Sequence, residues 1–539
     1  MYSGPRPARA MPTPPLRLPM RRSLLLLPAL AALALPARAA DWWLLGTDPQ
    51  RAVYVDSLAA PGGDGASPAT AFRTLREGIA DAGAHCTVWV RGGPDRAYDV
   101  TNAAEALSIP ASKEGLAIRS FGGEGPARLA VAAEYTRDWR NAGNSGNVNV
   151  ISNAAEHVTI EGFRFEWGSH SFGRQNFGSS SLVWTDAPFL TLSGCEFVQT
   201  AGSSFASSGT TPVIWCYQAN ATNLLVEGCR FFNCRMNDGN LGRGYYLITP
   251  RGQGSVVGCL FTNCAAVVDV PNSWNNPVYG CRRLEFVSNT VFAARTAADS
   301  GILRASYTGP DMGEIAYNRF VNVAGSPPGA ILEKSREGWN GAAGVSFHHN
   351  TVVGYRTLFY ADALNYNAAA MTASIFDNLL LLSADATNIV ENSGGKIDDD
   401  DRHPTMFLPG SFYRNNALRT GAFNGGTAAA LQIEGWTYDI TAGLEISDVF
   451  ALDAATAQSV TNVFASVGKP VPEDAVRAID EPVFVDLADP FHPDFARPRS
   501  RRDPGDIGRL GWRGENGEHP LWIGALPPLY PGATLLILR

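Results

Sequence analysis

Phe286-Val-Ser-Asn289, Ile315-Ala-Tyr-Asn318-Arg-Phe320, Phe347-His-His-Asn350 and Ile375-Phe-Asp-Asn378 are four copies of one short phrase. Each reads apolar, two variable residues, then Asn. Upstream the same phrase carries Phe or Cys in the Asn position: Ile160-Glu-Gly-Phe163-Arg-Phe165, Leu192-Ser-Gly-Cys195-Glu-Phe197, Val226-Glu-Gly-Cys229-Arg-Phe231 and Val256-Val-Gly-Cys259-Leu-Phe261. The fixed positions lie between 28 residues (Asn350 to Asn378) and 34 residues (Cys195 to Cys229) apart.

A recurring period of this size signals a repeat architecture. The apolar runs alternate with period two and no helical pattern separates them, so the repeats read as strands rather than leucine-rich or helical units. Parallel strands stacked coil on coil lie about 4.8 Å apart, so equivalent residues form columns. Asn289, Asn318, Asn350 and Asn378 are therefore expected to form a buried ladder, each side-chain amide bonding the next. The other reading, surface turns, does not explain why the four continue the column of Phe163, Cys195, Cys229 and Cys259. The predicted fold is all-β, a right-handed parallel β-helix solenoid with an N-terminal helical cap and an irregular C-terminal cap.

Composition agrees. The 539 residues are 45% hydrophobic and 17% charged, which excludes a disordered chain. A net charge of -8 and a pI near 5.6 exclude the broad basic face that nucleic acid requires. Arg21-Arg22, the apolar run from Ser23 to Leu35 and Ala37-Arg38-Ala39 read as an export signal spanning residues 1–39, cleaved near Ala39. Secretion or periplasmic export is expected, and no later segment has the length of an apolar membrane span. Residues 40–150 read as the N-terminal cap and first coils, 151–425 as the solenoid core and 426–539 as the C-terminal cap region, which holds Pro482-Val-Phe-Val-Asp486 and Asp506-Ile507-Gly508.

The opening of the mature chain contains Tyr54-Val-Asp56, Gly63-Asp-Gly65, Pro68-Ala-Thr-Ala-Phe72-Arg-Thr-Leu75 and Thr87-Val-Trp-Val-Arg91-Gly-Gly93. Together with the repeat, this resembles the pectate-lyase-like right-handed β-helix superfamily over about residues 52 to 425. The resemblance implies a polysaccharide-degrading enzyme of lyase or glycoside hydrolase type. Leu75 and Ile79 lie on one face of a short amphipathic helix able to cap the open end of the solenoid.

Eight cysteines are present: Cys86, Cys195, Cys216, Cys229, Cys234, Cys259, Cys264 and Cys281. Cys229/Cys259 and Cys234/Cys264 fall on equivalent positions of adjacent coils, where a disulfide is geometrically permitted. A stack of reduced thiols filling core volume fits equally well. There is no CxxC or Cys/His spacing for zinc.

A second family of strands alternates with the first: Leu182-Val-Trp184, Val213-Ile-Trp215, Leu247-Ile-Thr249, Val267-Val-Asp269, Ile302-Leu-Arg304, Ile331-Leu-Glu333, Leu358-Phe-Tyr360 and Ile389-Val-Glu391. Their third members form the column Trp184, Trp215, Thr249, Asp269, Arg304, Glu333, Tyr360, Glu391. A solvent-facing row at this pitch matches an extended glycan, with aromatic rings for sugar faces and charges for hydroxyls or carboxylates. Trp184, Trp215, Tyr360, Trp274, Trp339 and Arg336 are the expected substrate contacts, with Tyr307 and Tyr366 also walling the groove. The alternative is an ion-pair ladder, Asp269-Arg304-Glu333, with no ligand.

For a uronic-acid polymer, β-elimination needs a base for the proton beside the carboxylate and a cation for the enolate-like state. Lys334 and Arg304 are the candidates, with Glu333 and Asp269 also assigned to the catalytic set. Asp269, Glu333 and Glu391 are candidate ligands for a calcium ion. This is similar to β-helix lyases of the chondroitinase B and alginate lyase type, in which a Lys, an Arg and calcium act together; there Arg follows Lys by one coil, and here Arg304 precedes Lys334. Inverting hydrolysis by Asp269 and Glu333, roughly 9 to 10 Å apart across two coils, uses the same column. The Asn-Thr-Asp and Asp-Asp motifs of polygalacturonases are absent, and Asp398 to Asp401 read as a solvated turn. A non-catalytic glycan-binding surface protein is the third reading. His348 and His349 flank the ladder and one is expected to be a core or turn histidine. His170 and Arg174 lie in an insertion able to cover the groove.

Overall fold

The computed structural model describes residues 52–452, apart from 103, 122–124, 133–148, 168–180, 201–212, 217, 219, 235–245, 263, 265, 271–280, 293–300, 306–310, 323–328, 335–342, 362–370, 384–389, 393–406, 408–409, 420–429, 434–435 and 440–443. The export signal, His170, Arg174, Asp398 to Asp401 and the segments Pro482 to Asp486 and Asp506 to Gly508 lie outside the described residues.

The chain is a parallel β-solenoid. Successive strands join a network of 22 strands and a separate sheet of ten, and every pairing between them is parallel. The first coil begins with Ala52–Val55 pairing with Thr87–Arg91. Between them runs the predicted helix, α1, Leu75–Asp81. Its start is fixed by a capping box: Thr74 Oγ1 accepts from Glu77 N at 3.2 Å, and Thr74 N donates to Glu77 Oε2 at 3.0 Å. Leu75 and Ile79 are buried in the core, and α1 packs on the first strands of both sheets, as expected of the helical cap.

The repeated phrase is a strand, a corner of one or two residues and a second strand. In one coil these are Thr222–Glu227, Gly228-Cys229 and Arg230–Phe232. The corner residue adopts positive φ in every repeat: Gly162, Gly194, Gly228, Gly258, Ser288, Tyr317, His349 and Asp377, between +52° and +72°. Glycine fills this conformation at no steric cost in the first four coils. In the last four an L residue bears about 1–2 kcal/mol of backbone strain, and those are the coils whose next residue is Asn.

That Asn ladder is present and longer than predicted, because Asn416 joins it. The backbone N–H groups of Cys259, Asn289, Asn318, Asn350 and Asn378 donate to the Oδ1 of the next asparagine at 2.8, 2.8, 3.0, 2.9 and 3.0 Å. Each Nδ2 from Asn289 to Asn378 also reaches the next Oδ1, at 3.1, 3.0, 3.1 and 2.8 Å. The second amide hydrogen goes to a backbone carbonyl one coil back, as from Asn318 to Phe286 at 2.7 Å. All five asparagines are buried with their polar atoms satisfied, the condition under which a polar column stabilises a core.

The cysteines resolve to the reduced alternative. Cys86, Cys195, Cys216, Cys229, Cys234, Cys259 and Cys264 are buried free thiols. Cys195, Cys229 and Cys259 continue the Asn column by the same rule: each Sγ donates to the carbonyl one coil back, Ile160, Leu192 and Val226, at 3.5, 3.3 and 3.4 Å. Cys234 and Cys264 do likewise with Phe197 and Phe231 at 3.3 Å. The thiol thus replaces the amide donor after three of the four glycine corners, Gly194, Gly228 and Gly258. Beside this column Phe165, Phe197, Phe231 and Phe261 stack with centroids 5.0, 4.6 and 4.7 Å apart.

Parallel stacking continues beyond residue 425, where the sequence repeat fades: Leu444–Leu452 pairs in register with Ser411–Arg419. An antiparallel pair, Ala430–Ile433 with Trp436–Asp439, lies between them in sequence.

Candidate functional site

The ten-stranded sheet realises the predicted column residue by residue. Ser108 pairs with Ser152, Ser152 with Trp184, Trp184 with Trp215 and Trp215 with Thr249. The Ile248–Val268 pairing carries the register to Thr249 and Asp269. Asp269 then pairs with Arg304, Arg304 with Glu333, Glu333 with Tyr360 and Tyr360 with Glu391.

The solvent-facing groove expected there is corrected by burial. Arg304 is 9% exposed, Glu333 2% and Tyr360 5%, and Trp184 and Thr249 are buried too. Their strand neighbours Ile302, Leu303, Ile331, Leu332, Leu358 and Phe359 are also buried, so both faces of the sheet are covered at these coils. Trp215 is half-buried and packs on Trp184, with centroids 5.3 Å apart, and Trp184 Nε1 donates to Asp186 at 3.0 Å. The two indoles therefore contact each other as well as whatever lies over them. Glu333 Oε2 accepts the Gly301 N–H at 2.9 Å, which fixes the carboxylate beside the strand that carries Arg304.

Lys334 ends the strand Ala330–Lys334 and pairs in register with Ala305 and Ala361. The side chains of Lys334, Asp269 and Glu391, and the whole of Trp274, Arg336, Trp339, Tyr307 and Tyr366, lie outside the described residues. Among the described residues no three His, Cys, Asp or Glu side chains are placed to hold a metal.

A second polar cluster lies at the corners of the 22-stranded network. His348 Nε2 is 3.3 Å from Glu314 Oε1, and His349 Nε2 is 3.7 Å from Asp377 Oδ2. The two rings meet through their other nitrogens, Nδ1 to Nδ1 at 3.0 Å. His348 stacks on Phe376 at 4.7 Å and 13°, and His349 on Tyr317 at 5.0 Å and 25°. Burial and the adjacent His348 push the His349 imidazole down to about 4. The hydrogen bond from His348 holds Glu314 below the usual carboxylate range. His349 is a turn histidine as expected, but the cluster was missed. Its signal was the alignment of Tyr317, His349 and Asp377, each directly before a ladder asparagine.

No family model and no curated protein matches the chain. Several solved structures resemble it, among them the following three. A family 6 polysaccharide lyase, Pedsa3628 from Pseudopedobacter saltans, is 9% identical with TM-score 0.39, over 68% of this chain and 88% of that one. A rhamnogalacturonan lyase is 13% identical with TM-score 0.35, over 65% and 89%. A family 136 lacto-N-biosidase from Eubacterium ramulus is 10% identical with TM-score 0.31, over 74% and 67%. The fold is a parallel β-solenoid, which the chain's own strand pairing and asparagine ladder show without those alignments. Among the described residues no helix is long and apolar enough to cross a membrane.

Proposed function

We propose that this chain is an exported polysaccharide-degrading β-helix enzyme, a lyase that cleaves a uronic-acid-containing glycan by β-elimination. The observation that carries the reading is a buried carboxylate, Glu333, side by side in register with a buried guanidinium, Arg304, in a column with Trp184, Trp215 and Tyr360. An ion-pair ladder that only decorates a surface would be solvated and worth little. Charges withdrawn from water are expensive and are concentrated where chemistry requires them.

In this reading Arg304, at 9% the most exposed of Arg304, Glu333 and Tyr360, meets the uronate carboxylate with its planar fork at that exposed edge and favours the enolate-like state. Lys334, acting as the neutral amine, takes the proton beside that carboxylate. The glycosidic C–O bond on the neighbouring carbon then breaks, its electron pair leaving with the oxygen, which takes a proton from water to become a sugar hydroxyl, and an unsaturated uronate end remains. Glu333, held by Gly301 N–H, orients Arg304. Carboxylate oxygens are the donors calcium takes, and Glu333 and Glu391 flank Tyr360 as its candidate ligands. Asp269 and Glu333 are separated by Arg304, whose charge fills the same role, so no step depends on the ion.

The test is incubation of the purified protein with a panel of uronate and neutral polysaccharides. Ultraviolet-absorbing unsaturated ends are expected. New reducing ends without that absorbance would replace the lyase by a hydrolase using Asp269 and Glu333, and retardation in a glycan gel without cleavage would leave a binding protein.

A further inference from the structure

The His348–His349 pair is independent of the ten-stranded sheet and has a geometry that the solenoid itself does not require. Each ring is clamped on one face by an aromatic side chain, Phe376 or Tyr317, and each Nε2 faces a carboxylate, Glu314 or Asp377. The two Nδ1 atoms are 3.0 Å apart and share one N–H···N hydrogen bond, so one ring carries its proton on Nδ1. A metal ion that took both Nδ1 atoms would move that proton to Nε2, which faces a carboxylate. Imidazoles whose remote N–H is held by a carboxylate are also the usual arrangement of metal ligands, because the carboxylate fixes the tautomer and raises the basicity of the coordinating nitrogen.

We propose that His348 and His349 chelate one divalent late-transition-metal ion through their two Nδ1 atoms, in competition with the proton they otherwise share. Metal–imidazole bonds are about 2.0–2.1 Å, so two nitrogens at a right angle lie about 3 Å apart, whereas a tetrahedral pair spreads to about 3.4 Å. The 3.0 Å span is within reach of either geometry, and among divalent first-row ions copper(II) binds imidazole nitrogen most strongly. Among the described residues no third protein ligand converges there, so water completes the coordination sphere. Both rings keep 12% of their surface exposed, which leaves an open side for that water.

The test is titration of the full chain with copper(II) chloride at neutral pH, followed by calorimetry and electron paramagnetic resonance. One saturable site with two equivalent imidazole nitrogens is expected. His349→Asn, which tolerates the corner conformation, and His348→Phe, which keeps the stack on Phe376, should each weaken that site at least tenfold. Asp377→Asn and Glu314→Gln should weaken it about 10–100-fold by releasing the rings. Circular dichroism confirms that each variant is folded. Unchanged copper affinity and an unchanged nitrogen count in both histidine variants would overturn the proposal, as would the absence of any saturable site in the parent protein.

Discussion

Arg304 lies directly across the parallel ladder from Glu333, and both charged side chains are buried. Opposite charges withdrawn from water depend on one another far more than a solvated pair does. Arg304→Met alone should destabilise the chain by about 3–5 kcal/mol, and the double variant Arg304→Met/Glu333→Leu should recover much of that loss. Additive effects in denaturant titrations of the two single variants and the double would mean that the two groups act separately.

The catalytic assignment makes a different demand. Arg304→Lys keeps the charge but loses the planar fork, so it should remain folded and still lose most turnover. Lys334→Ala should abolish turnover with the melting temperature nearly unchanged. Full lyase activity in both variants would remove the assignment of base and cation.

In the buried ladder, Asn318→Ala removes the acceptor for Asn289 and the donors to Phe286 and Asn350 at once. Each orphaned buried group costs about 1–3 kcal/mol, so the loss should be several kcal/mol. Asn289→Cys should cost less than Asn289→Ala, because Cys259, one coil earlier, already shows the thiol donating to the equivalent carbonyl. Chemical denaturation of the three variants ranks them, and equal losses for Cys and Ala would refute the equivalence of thiol and amide.

The ladder and the column were both legible because a solenoid turns sequence spacing into spatial register. Asn289 to Asn378, and Asp269-Arg304-Glu333-Tyr360, needed only the correct period. The covering of the column was not legible. Ile302-Leu-Arg304 gives the alternation of faces, yet nothing in a three-residue apolar strand reveals that Ile302 and Leu303 are both buried. The histidine cluster was hidden for another reason. Glu314, His348, His349 and Asp377 meet only because corner residues with positive φ stack in register, and none of the four later corners is the glycine or asparagine that announces such a turn.

Because the seven described thiols are reduced, intact mass should be the same with and without reductant. Burial pushes the Cys195, Cys229 and Cys234 thiols up, and Cys216 to about 12. The nucleophilic thiolate is therefore scarce as well as inaccessible. Native protein should resist alkylation at these four positions and react fully once unfolded. Rapid native labelling at any of them, read by peptide mass spectrometry, would contradict the packing of the column.

Asp56, at the start of the solenoid, gives the acid limb of stability. Burial alone would raise its carboxyl, but the Leu58 N–H at 3.0 Å, Arg96 at 3.0 Å and Arg91 at 3.2 Å outweigh it and hold the group below its ordinary value of 3.8. A carboxylate whose folded value is depressed contributes stability that is fully present above the unfolded value and is lost as pH falls through the folded one. Thermal unfolding should therefore be insensitive to this group from neutrality down to about pH 5 and decline below about pH 4. Asp56→Asn should lower the melting temperature at neutral pH and flatten that decline, since the arginines lose their anion at every pH. An Asn variant whose acid limb is as steep as the parent's would show that other carboxylates, such as Glu166 between Arg128 and Arg164, carry the effect instead.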